Sequence, residues 1–278
     1  MNTLTYEVTG RVARITLDRP ERANAITLDM PRELEQCVEQ ANLDPSVHVI
    51  ALAGNGKGFC GGYDLVDYAE SQAPNHDPGA PWDPVVDWQM MSRNLRGFMS
   101  LFHSDKPVVC KVHGFCVAGG TDLALCSDQL VIADDARIGY PPARVWGVPT
   151  SMMWAHRIGP ARAKDLLFTG DLIDGAKAYD WGLAVESAPA SELDERFEAL
   201  VERIALTPVN QLVMMKLLVN QALYSQGLQA TQALGVFFDG IARHTPEGYD
   251  FQHRAAELGF KEAVRQRDSP YDAPQSPP

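Results

Sequence analysis

Apolar and polar positions along the first third of the chain predict a hairpin, a helix and a buried strand. Residues 6–17 alternate around Gly10, as expected for a β-hairpin. Apolar residues recur every three or four positions over 28–43, which predicts an amphipathic helix. The continuous apolar run over 47–53 predicts a strand buried on both faces, as in a parallel sheet.

The same alternation of strands and helices continues and then gives way to helices. Strands are predicted over 107–112 and 129–133, with a helical segment over 121–126 between them. Strand–turn–helix units followed by a helical region indicate the α/β class with a helical C-terminal part. The further predicted helices span 161–169, 175–181, 191–205, 208–223, 227–242 and 253–266.

Two segments are rich in proline and are predicted to lie outside these elements. Residues 71–84 contain four prolines and a glycine, which predicts a surface loop. The bulky apolar residues around it, over 82–91, either line a ligand pocket or anchor the loop. The chain from Asp268 onward contains four further prolines and is expected to be disordered.

Charge and cysteine content exclude several classes of partner. The net charge of -12 argues against nucleic acid and anionic membrane surfaces, which both attract basic patches. The five cysteines form no CxxC pair, so neither a structural zinc site nor a disulfide framework is expected, and a reducing cytoplasm is the default compartment. No signal peptide and no long apolar run is evident, so we expect a soluble, cytoplasmic protein.

Two glycine-rich segments carry the candidate chemistry. The first, FCGGYDL over 59–65, is not a phosphate-binding loop: Gly58 follows Gly56-Lys57 where a Walker motif needs Ser or Thr, and Phe59 stands where a dinucleotide motif needs glycine. The second is VHGFCVAGGTDLAL over 112–125. Each segment is either a flexible turn or the source of one exposed backbone N–H, and two such donors that converge would form an oxyanion hole.

Five separated segments resemble the crotonase, or enoyl-CoA hydratase/isomerase, superfamily in the family's order, over roughly residues 8–220. The resemblance implies an α/β crotonase-type spiral of repeated ββα units, with a C-terminal helical region that builds homotrimers or hexamers. It also implies acyl-CoA thioesters as substrates and no metal or redox cofactor, with coenzyme A entering only as part of the substrate. The segments are ITLDRPERANAIT, VIALAGNGKGFCGGYDL, KPVVCKVHGFCVAGGTDLAL, DARIGYPPARVWGVP and IGPARAKDLLFTGDLIDGAKAYDWGLAVE.

The same resemblance divides the chain and assigns candidate site residues. It implies a spiral core with the acyl-CoA site over 1–200, a helical trimerisation and lid region over 201–267, and a disordered tail over 268–278. The implied catalytic groups are the main-chain N–H groups of Tyr63 and Gly119 and the carboxyl group of Asp122. The implied substrate contacts are Arg22, Ala23, Ala25, Gly62, Asp64, Leu65 and Tyr140.

The sequence departs from the hydratases of the superfamily at both catalytic acids. These enzymes carry two glutamates that hold one water, whereas this chain has Asp122 at the first position and no acid at Pro142-Ala143, where the second belongs. A single shortened carboxylate suits proton shuttling along an allylic system better than addition of water. We expect Asp122 to be an ionised base because the first turn of a helix favours negative charge, although an apolar pocket would oppose it. The alternative is a structural role for Asp122, as a residue at the N-terminus of the helix that bonds to backbone.

Other polar residues are weaker candidates. His113 is expected to fix a turn by a hydrogen bond rather than to take part in catalysis. Tyr140 or Arg144 could contact the acyl group, or Arg144 could pair with a surface acid such as Asp135. Three residues on or near the proline-rich loop could supply the missing acid: His76, Asp77 and Asp87.

Two classes of function remain open. The first is an enzyme of the enoyl-CoA hydratase/isomerase type that stabilises a thioester enolate, with hydration, isomerisation, hydrolysis and decarboxylation as possible reactions. The second is a non-catalytic acyl-CoA-binding relative. A serine protease on the same fold is disfavoured because no serine in the glycine-rich turns has a histidine placed as its base.

Overall fold

The computed structural model describes residues 1–65 and 81–271. The predicted hairpin is confirmed, with its two strands paired antiparallel in register from Leu4–Leu17 to Thr9–Val12. The described strands are β1 (Leu4–Thr9), β2 (Val12–Leu17), β3 (Val49–Gly54), β4 (Val108–Val112), β5 (Phe115–Val117), β6 (Gln129–Ala133), β7 (Arg137–Gly139), β8 (Leu172–Ile173) and β9 (Glu186–Ala188).

A mainly parallel sheet forms the centre of the core. Within the described residues its strand order is β1-β2-β3-β4-β6-β9, and every pair after the hairpin is parallel. Because β3 and β4 are parallel neighbours, the turns that follow them leave the sheet at the same edge. A small second sheet of order β5-β7-β8 continues from that edge.

Most predicted helices are confirmed, with two differences. The helix predicted over 253–266 is two helices separated by Gly259, whose φ of 83° ends the first. The helix predicted over 161–169 begins earlier, at Met153. The described helices are α1 (Met30–Leu43), α2 (Pro84–His103), α3 (Gly119–Ala124), α4 (Met153–Thr169), α5 (Gly175–Asp180), α6 (Leu193–Ala205), α7 (Val209–Ser225), α8 (Leu228–Arg243), α9 (Pro246–Leu258) and α10 (Phe260–Asp268).

Helix α2 was not predicted, and its beginning explains why. The side chain of Asp83 caps it by accepting a hydrogen bond from the N–H of Val85 at 2.9 Å. Pro84 is its first residue, where a missing N–H costs nothing. The proline-rich stretch that predicts a loop to residue 84 therefore ends in a helix start, and residues 71–80 of that loop lie outside the described residues.

The prediction of a disordered tail is wrong for its first four residues. Asp268 ends α10, and residues 269–271 form a short 3-10 helix. The Asp268 carboxylate accepts hydrogen bonds from Arg144 at 3.0 Å and from Arg267 at 2.8 Å, which fixes this end of the chain. Residues 272–278 lie outside the described residues.

The described helices also bear on membrane association. In residues 1–65 and 81–271 no helix combines the length and the apolar content that crossing a bilayer requires.

Asn24 joins the loop after β2 to the turn after β3. Its side chain is fully buried, and its amide nitrogen donates to the carbonyl oxygens of Asn55 (2.8 Å), Gly58 (3.1 Å) and Phe59 (3.0 Å). Its φ of 51° lies in the left-handed region, which asparagine tolerates better than most residues. The first glycine-rich turn therefore depends on one side chain from the preceding loop.

We expect Asn24→Ala to lower the free energy of unfolding by about 2–3 kcal/mol, because it leaves buried carbonyl groups without a donor. The measurement is urea unfolding followed by circular dichroism. Asn55→Ala is the matched control, since Asn55 is exposed and donates to Asp18 at the surface, and its expected effect is below about 0.5 kcal/mol. Equal effects of the two substitutions would contradict the role given to Asn24.

Candidate active site

The two glycine-rich turns meet through backbone hydrogen bonds. The N–H of Phe59 donates to the carbonyl of Phe115 at 2.9 Å, and the N–H of Val117 donates to the carbonyl of Cys60 at 3.0 Å. Because β3 and β4 are adjacent, the turns leave the sheet close enough to form these bonds. They bring Tyr63 from the first turn and Gly119 from the second onto the wall of one cavity.

The contact between the turns requires glycine at position 62. Gly62 has a φ of 98°, and a methyl group there would lie 2.8 Å from the Cβ of Ala118. The same methyl position is 3.5 Å from the amide nitrogen of Gly119, so the two backbones approach closely. Ala118 itself has φ 53° and ψ -131°, a strained conformation for an L-residue. The second turn is therefore held in an unfavourable backbone conformation immediately before Gly119.

The peptide at position 63 is fixed from the other side by the loop after β2. The N–H of Ile26 donates to the carbonyl of Gly62 at 2.8 Å, and the N–H of Asp64 donates to the carbonyl of Ile26 at 2.9 Å. These two bonds hold the backbone on both sides of Tyr63. Gly119 is the first residue of α3, a position whose N–H has no acceptor within its own helix.

The cavity has a volume of about 340 Å³ and is mainly apolar. Four of the predicted site residues line it: Tyr63, Leu65, Gly119 and Tyr140. Met90 and Met91 also line it, so part of the apolar segment 82–91 does face a pocket.

In the described part of the chain, five of the predicted substrate contacts are not among the residues that line the cavity. They are Arg22, Ala23, Ala25, Gly62 and Asp64. The carbonyl of Ala23 accepts from the N–H of Gly61 at 2.9 Å, so this loop adjoins the cavity wall.

Asp64 is buried and held by two guanidinium groups. Arg19 donates to it at 3.1 Å, and Arg22 lies 3.5 Å from it. Its carboxylate therefore anchors the loop after β2 to the first turn.

Asp122 occupies a different place from the one expected. It is fully buried, and within the described residues the cavity wall does not include it. Its Oδ1 accepts from the N–H of Ser151 at 2.8 Å, while its Oδ2 has no hydrogen-bond partner in the described part of the chain. Ala118, and not Asp122, is the cap residue of α3, but the alternative role is otherwise confirmed, because Asp122 lies in the first turn of α3 and bonds to a backbone N–H.

Burial raises the pKa of Asp122 to about 7, although the bond from Ser151 opposes the shift. Burial therefore works against the expected ionised base, and near neutral pH the protonated and ionised forms of Asp122 are both populated. A helix terminus stabilises a charge by less than about 1 kcal/mol in ordinary settings, whereas full burial shifts carboxyl pKa values by several units.

His113 fixes a turn, as predicted. Its Nε2 hydrogen-bonds the carbonyl oxygen of Gly56 at 2.9 Å, which links the second glycine-rich segment to the first.

Arg144 pairs with acids rather than lining the cavity, but its partners differ from the predicted Asp135. It donates to Asp171 at 3.1 Å and to Asp268 at 3.0 Å, and to the carbonyl of Thr169 at 2.9 Å. The candidates His76 and Asp77 lie outside the described residues.

A buried charged cluster lines the cavity, and sequence reasoning found only one of its members, Asp87. Arg243 donates to Asp87 at 2.9 Å and also to Asp239, one turn earlier on α8. The indole N–H of Trp82 donates to Asp87 at 2.7 Å, and His244 stacks on the same indole with 4.4 Å between ring centroids. The signal available in the sequence was the Asp239–Arg243 spacing of four residues on a helix, which favours an ion pair.

The last two helices cover the charged cluster and the segment that follows Tyr140. Phe251 of α9 and Val264 of α10 line the cavity. The Trp146 ring packs against Phe251 and Phe260, with centroids 5.2 and 5.6 Å apart. The C-terminal region therefore forms part of the cavity.

Residues 7–250 match the sequence model of the enoyl-CoA hydratase/isomerase family. The chain belongs to this family. Crystal structures agree: an enoyl-CoA hydratase from Mycobacterium smegmatis is 60% identical, with a TM-score of 0.92 over 96% of this chain and 94% of that chain. An enoyl-CoA hydratase/isomerase from Xanthobacter autotrophicus is 26% identical, with a TM-score of 0.88 over 98% and 99%. A carnitinyl-CoA dehydratase from Proteus mirabilis is 33% identical over 200 residues, 70% of this chain and 72% of the relative.

Membership in the enoyl-CoA hydratase/isomerase family confirms the crotonase-type α/β fold that the glycine-rich segments indicated. It also confirms that the chain is of an enzymatic family that acts on acyl-CoA thioesters.

The buried Asp122 gives a pH-dependent prediction. Its ordinary pKa is 3.8 and its folded-state pKa is about 7, so between these values the folded chain binds more protons than the unfolded chain. The free energy of unfolding therefore falls as pH rises through this window. We expect Asp122→Asn to remove this loss and to be more stable than the wild type at pH 8, by up to about 4 kcal/mol.

The measurement is urea unfolding of both proteins at pH 5 and pH 8. The gain of Asp122→Asn should be much smaller at pH 5, where the wild-type carboxyl group is largely protonated. A difference of the same size at both pH values would show that Asp122 is not buried as an acid with a raised pKa.

Proposed function

We propose that the protein is an acyl-CoA enzyme that stabilises a thioester enolate with the main-chain N–H groups of Tyr63 and Gly119. The observation that carries the proposal is the meeting of the two glycine-rich turns at one cavity. Donors fixed by the fold stabilise charge as it develops on a thioester oxygen and need no rearrangement during the reaction. Because Gly62 has no side chain, the two glycine-rich turns can approach each other closely.

The loop after β2 and the cavity suit the two parts of an acyl-CoA molecule. The side chain of Arg22 is 47% exposed and can meet phosphate groups of coenzyme A. We place Ala23 and Ala25 in the backbone that frames these phosphates, and Asp64 beside the pantetheine group. Tyr63, Leu65 and Tyr140 would contact the pantetheine and acyl groups. The proposed chemistry uses only protein groups and the substrate, so we infer no metal or further cofactor.

Isomerisation of a double bond is the reaction we favour. No acid occurs over 141–144, where hydratases of the superfamily carry the second glutamate, and proton transfer by one carboxyl group suffices for an allylic shift. Hydration or dehydration is the second candidate, because a relative that is 33% identical is a carnitinyl-CoA dehydratase.

A substrate panel separates these reactions. The wild-type protein would be incubated with 2-enoyl-, 3-enoyl- and 3-hydroxyacyl-CoA of increasing chain length, and products would be identified by mass spectrometry and NMR. We expect conversion of 3-enoyl- to 2-enoyl-CoA. Binding of acyl-CoA without turnover of any thioester would instead support a non-catalytic relative.

A matched pair of substitutions at Tyr63 tests the main-chain donor. Tyr63→Ala keeps the N–H and should retain turnover within about tenfold, whereas Tyr63→Pro removes the N–H and should lose about 100- to 1000-fold in kcat. The neighbouring bonds that pair this segment with Ile26 use residues 62 and 64, so the proline leaves them in place. Circular dichroism and thermal unfolding check that both variants fold, and equal activity of the two would refute the proposed donor.

We also infer that the protein assembles as a homotrimer or hexamer. Five successive or nearly successive apolar side chains on α7 are exposed, with exposed fractions between 46% and 68%. Two phenylalanines of the next helix, α8, are also exposed, at 44% and 48%. A surface of this kind is typical of a subunit interface. The residues are Met214, Met215, Leu217, Leu218, Val219, Phe237 and Phe238.

Leu218→Glu should weaken this assembly, because it places a charge where an apolar contact is proposed. The expected result is a lower molar mass by light scattering than that of the wild type at equal concentration. Leu43→Glu is the matched control, because Leu43 is equally exposed but lies at the end of α1. A monomeric wild type would contradict the proposed assembly.

A further inference from the structure

Asp239 is a carboxyl group on the cavity wall that comes from a distant part of the chain. We propose that Asp239, carried by α8, moves protons to and from the acyl chain in place of the acid that is missing after Tyr140. This inference rests on the proposed function and identifies the group that performs its proton transfer.

The position of Asp239 follows from the contacts around Gly147. A methyl group at position 147 would lie 3.3 Å from the hydroxyl oxygen of Tyr140 and 3.7 Å from Oδ1 of Asp239. Because Gly147 has no side chain, the hydroxyl oxygen of Tyr140 and Oδ1 of Asp239 face the same open space. Tyr140, Gly147 and Asp239 all line the same cavity as Tyr63 and Gly119.

Hydrogen bonds hold the Asp239 carboxyl group in one orientation. The N–H of Val148 donates to Oδ1 at 3.1 Å, and Arg243 donates to Oδ2. A carboxylate oxygen can accept more than one hydrogen bond, so Oδ1 retains capacity for a proton. Arg243 is a positioning residue here, because it is itself held by Asp87 at 2.9 Å.

The other carboxyl groups near the cavity suit proton transfer less well. Within the described residues Asp122 does not belong to the cavity wall, whereas Asp239 does. Asp87 lies on the wall, but one of its oxygens accepts from Arg243 and the other from Trp82, with His244 3.6 Å away. Asp268 also lies on the wall, but it accepts hydrogen bonds from Arg144 and from Arg267 through both of its oxygens.

The charged groups that face Asp239 act on its pKa in opposite directions. Burial and the negative charge of Asp87 on α2 raise its pKa, whereas Arg243 on α8 opposes that rise. The other titratable groups close by are Tyr140 after β7 and Asp122 on α3, since the charges of Asp122 and Asp239 both act on the Tyr140 hydroxyl. A carboxyl group poised in this way can accept a proton and return it.

The proton transfer needs only the Asp239 carboxylate and the thioester substrate. The Asp239 carboxylate takes a proton from the α-carbon of a 3-enoyl thioester. The C–H electron pair forms a double bond to the thioester carbon, and the carbonyl pair moves onto oxygen beside the main-chain donors. The carboxyl group then returns the proton to the γ-carbon as the oxygen reforms its carbonyl, which gives the 2-enoyl thioester and regenerates the carboxylate.

Asp239→Asn in the full-length protein tests the proposal. We expect kcat for 3-enoyl-CoA to fall by about 100- to 10,000-fold, with KM within about threefold, because general acid–base groups contribute on this scale. Exchange of the substrate's α-protons with solvent D₂O, followed by NMR, should be lost in parallel. Asp194→Asn is the matched control, since Asp194 is 83% exposed and pairs with Lys111 at the surface.

Asp239→Glu supplies a second readout that does not require the asparagine variant to fold. It keeps the carboxyl group, so it should recover part of the kcat and move the pH at which the rate rises. A structural role would change stability and KM without moving the pH profile, and that result would overturn the proposal.

Two results overturn the assignment in distinguishable ways. An active wild type with an Asp239→Asn variant whose kcat and proton exchange stay within about fivefold would refute the role of Asp239 alone. A wild type that turns over no thioester and exchanges no α-proton would refute the proposed function, and the role of Asp239 with it.

Discussion

The close approach of two backbone turns is the constraint on which the rest of this molecule depends. Hydrogen bonds between residues 59–60 and 115–117 hold the turns together, and Gly62 removes the side chain that would separate them from Ala118. The cavity, the position of Gly119 at the start of α3 and the strained backbone at Ala118 all follow from that contact. Packing of the sheet and the buried Asn24 side chain keep the turns from relaxing apart.

The chain buries several acidic groups around this junction, and each has different hydrogen-bond and charge partners. Asp64 is neutralised by Arg19 and Arg22, and so serves as an anchor. Within residues 1–65 and 81–271 the Asp122 carboxyl group accepts a hydrogen bond from Ser151 and has no salt bridge, and burial raises its pKa. Burial of an unpaired charge is costly, so a group in this environment takes up a proton instead. The environment of each carboxyl group, and not its residue type, therefore decides its chemical role.

Asp87 and Asp239 share a single guanidinium, that of Arg243, and this cluster ties α2 to α8 across the cavity wall. Such a cluster contributes little net stability, because desolvation offsets much of the attraction between the charges. Its placement beside Tyr140 and Gly147 gives the cavity a polar region on an otherwise apolar wall. The C-terminal helices thus contribute to the site as well as covering it.

The sequence by itself determined the hairpin, the buried parallel strands, most helices and the family, because periodicity and glycine-rich motifs are local properties. It also identified Tyr63, Leu65, Gly119 and Tyr140 as residues that line one cavity. Local pattern could not reveal α2, whose proline-rich start resembles a loop, nor the burial of Asp122. Only the tertiary structure placed Asp239 beside Tyr140, because that contact joins segments about 100 residues apart whose proximity depends on how α8 packs.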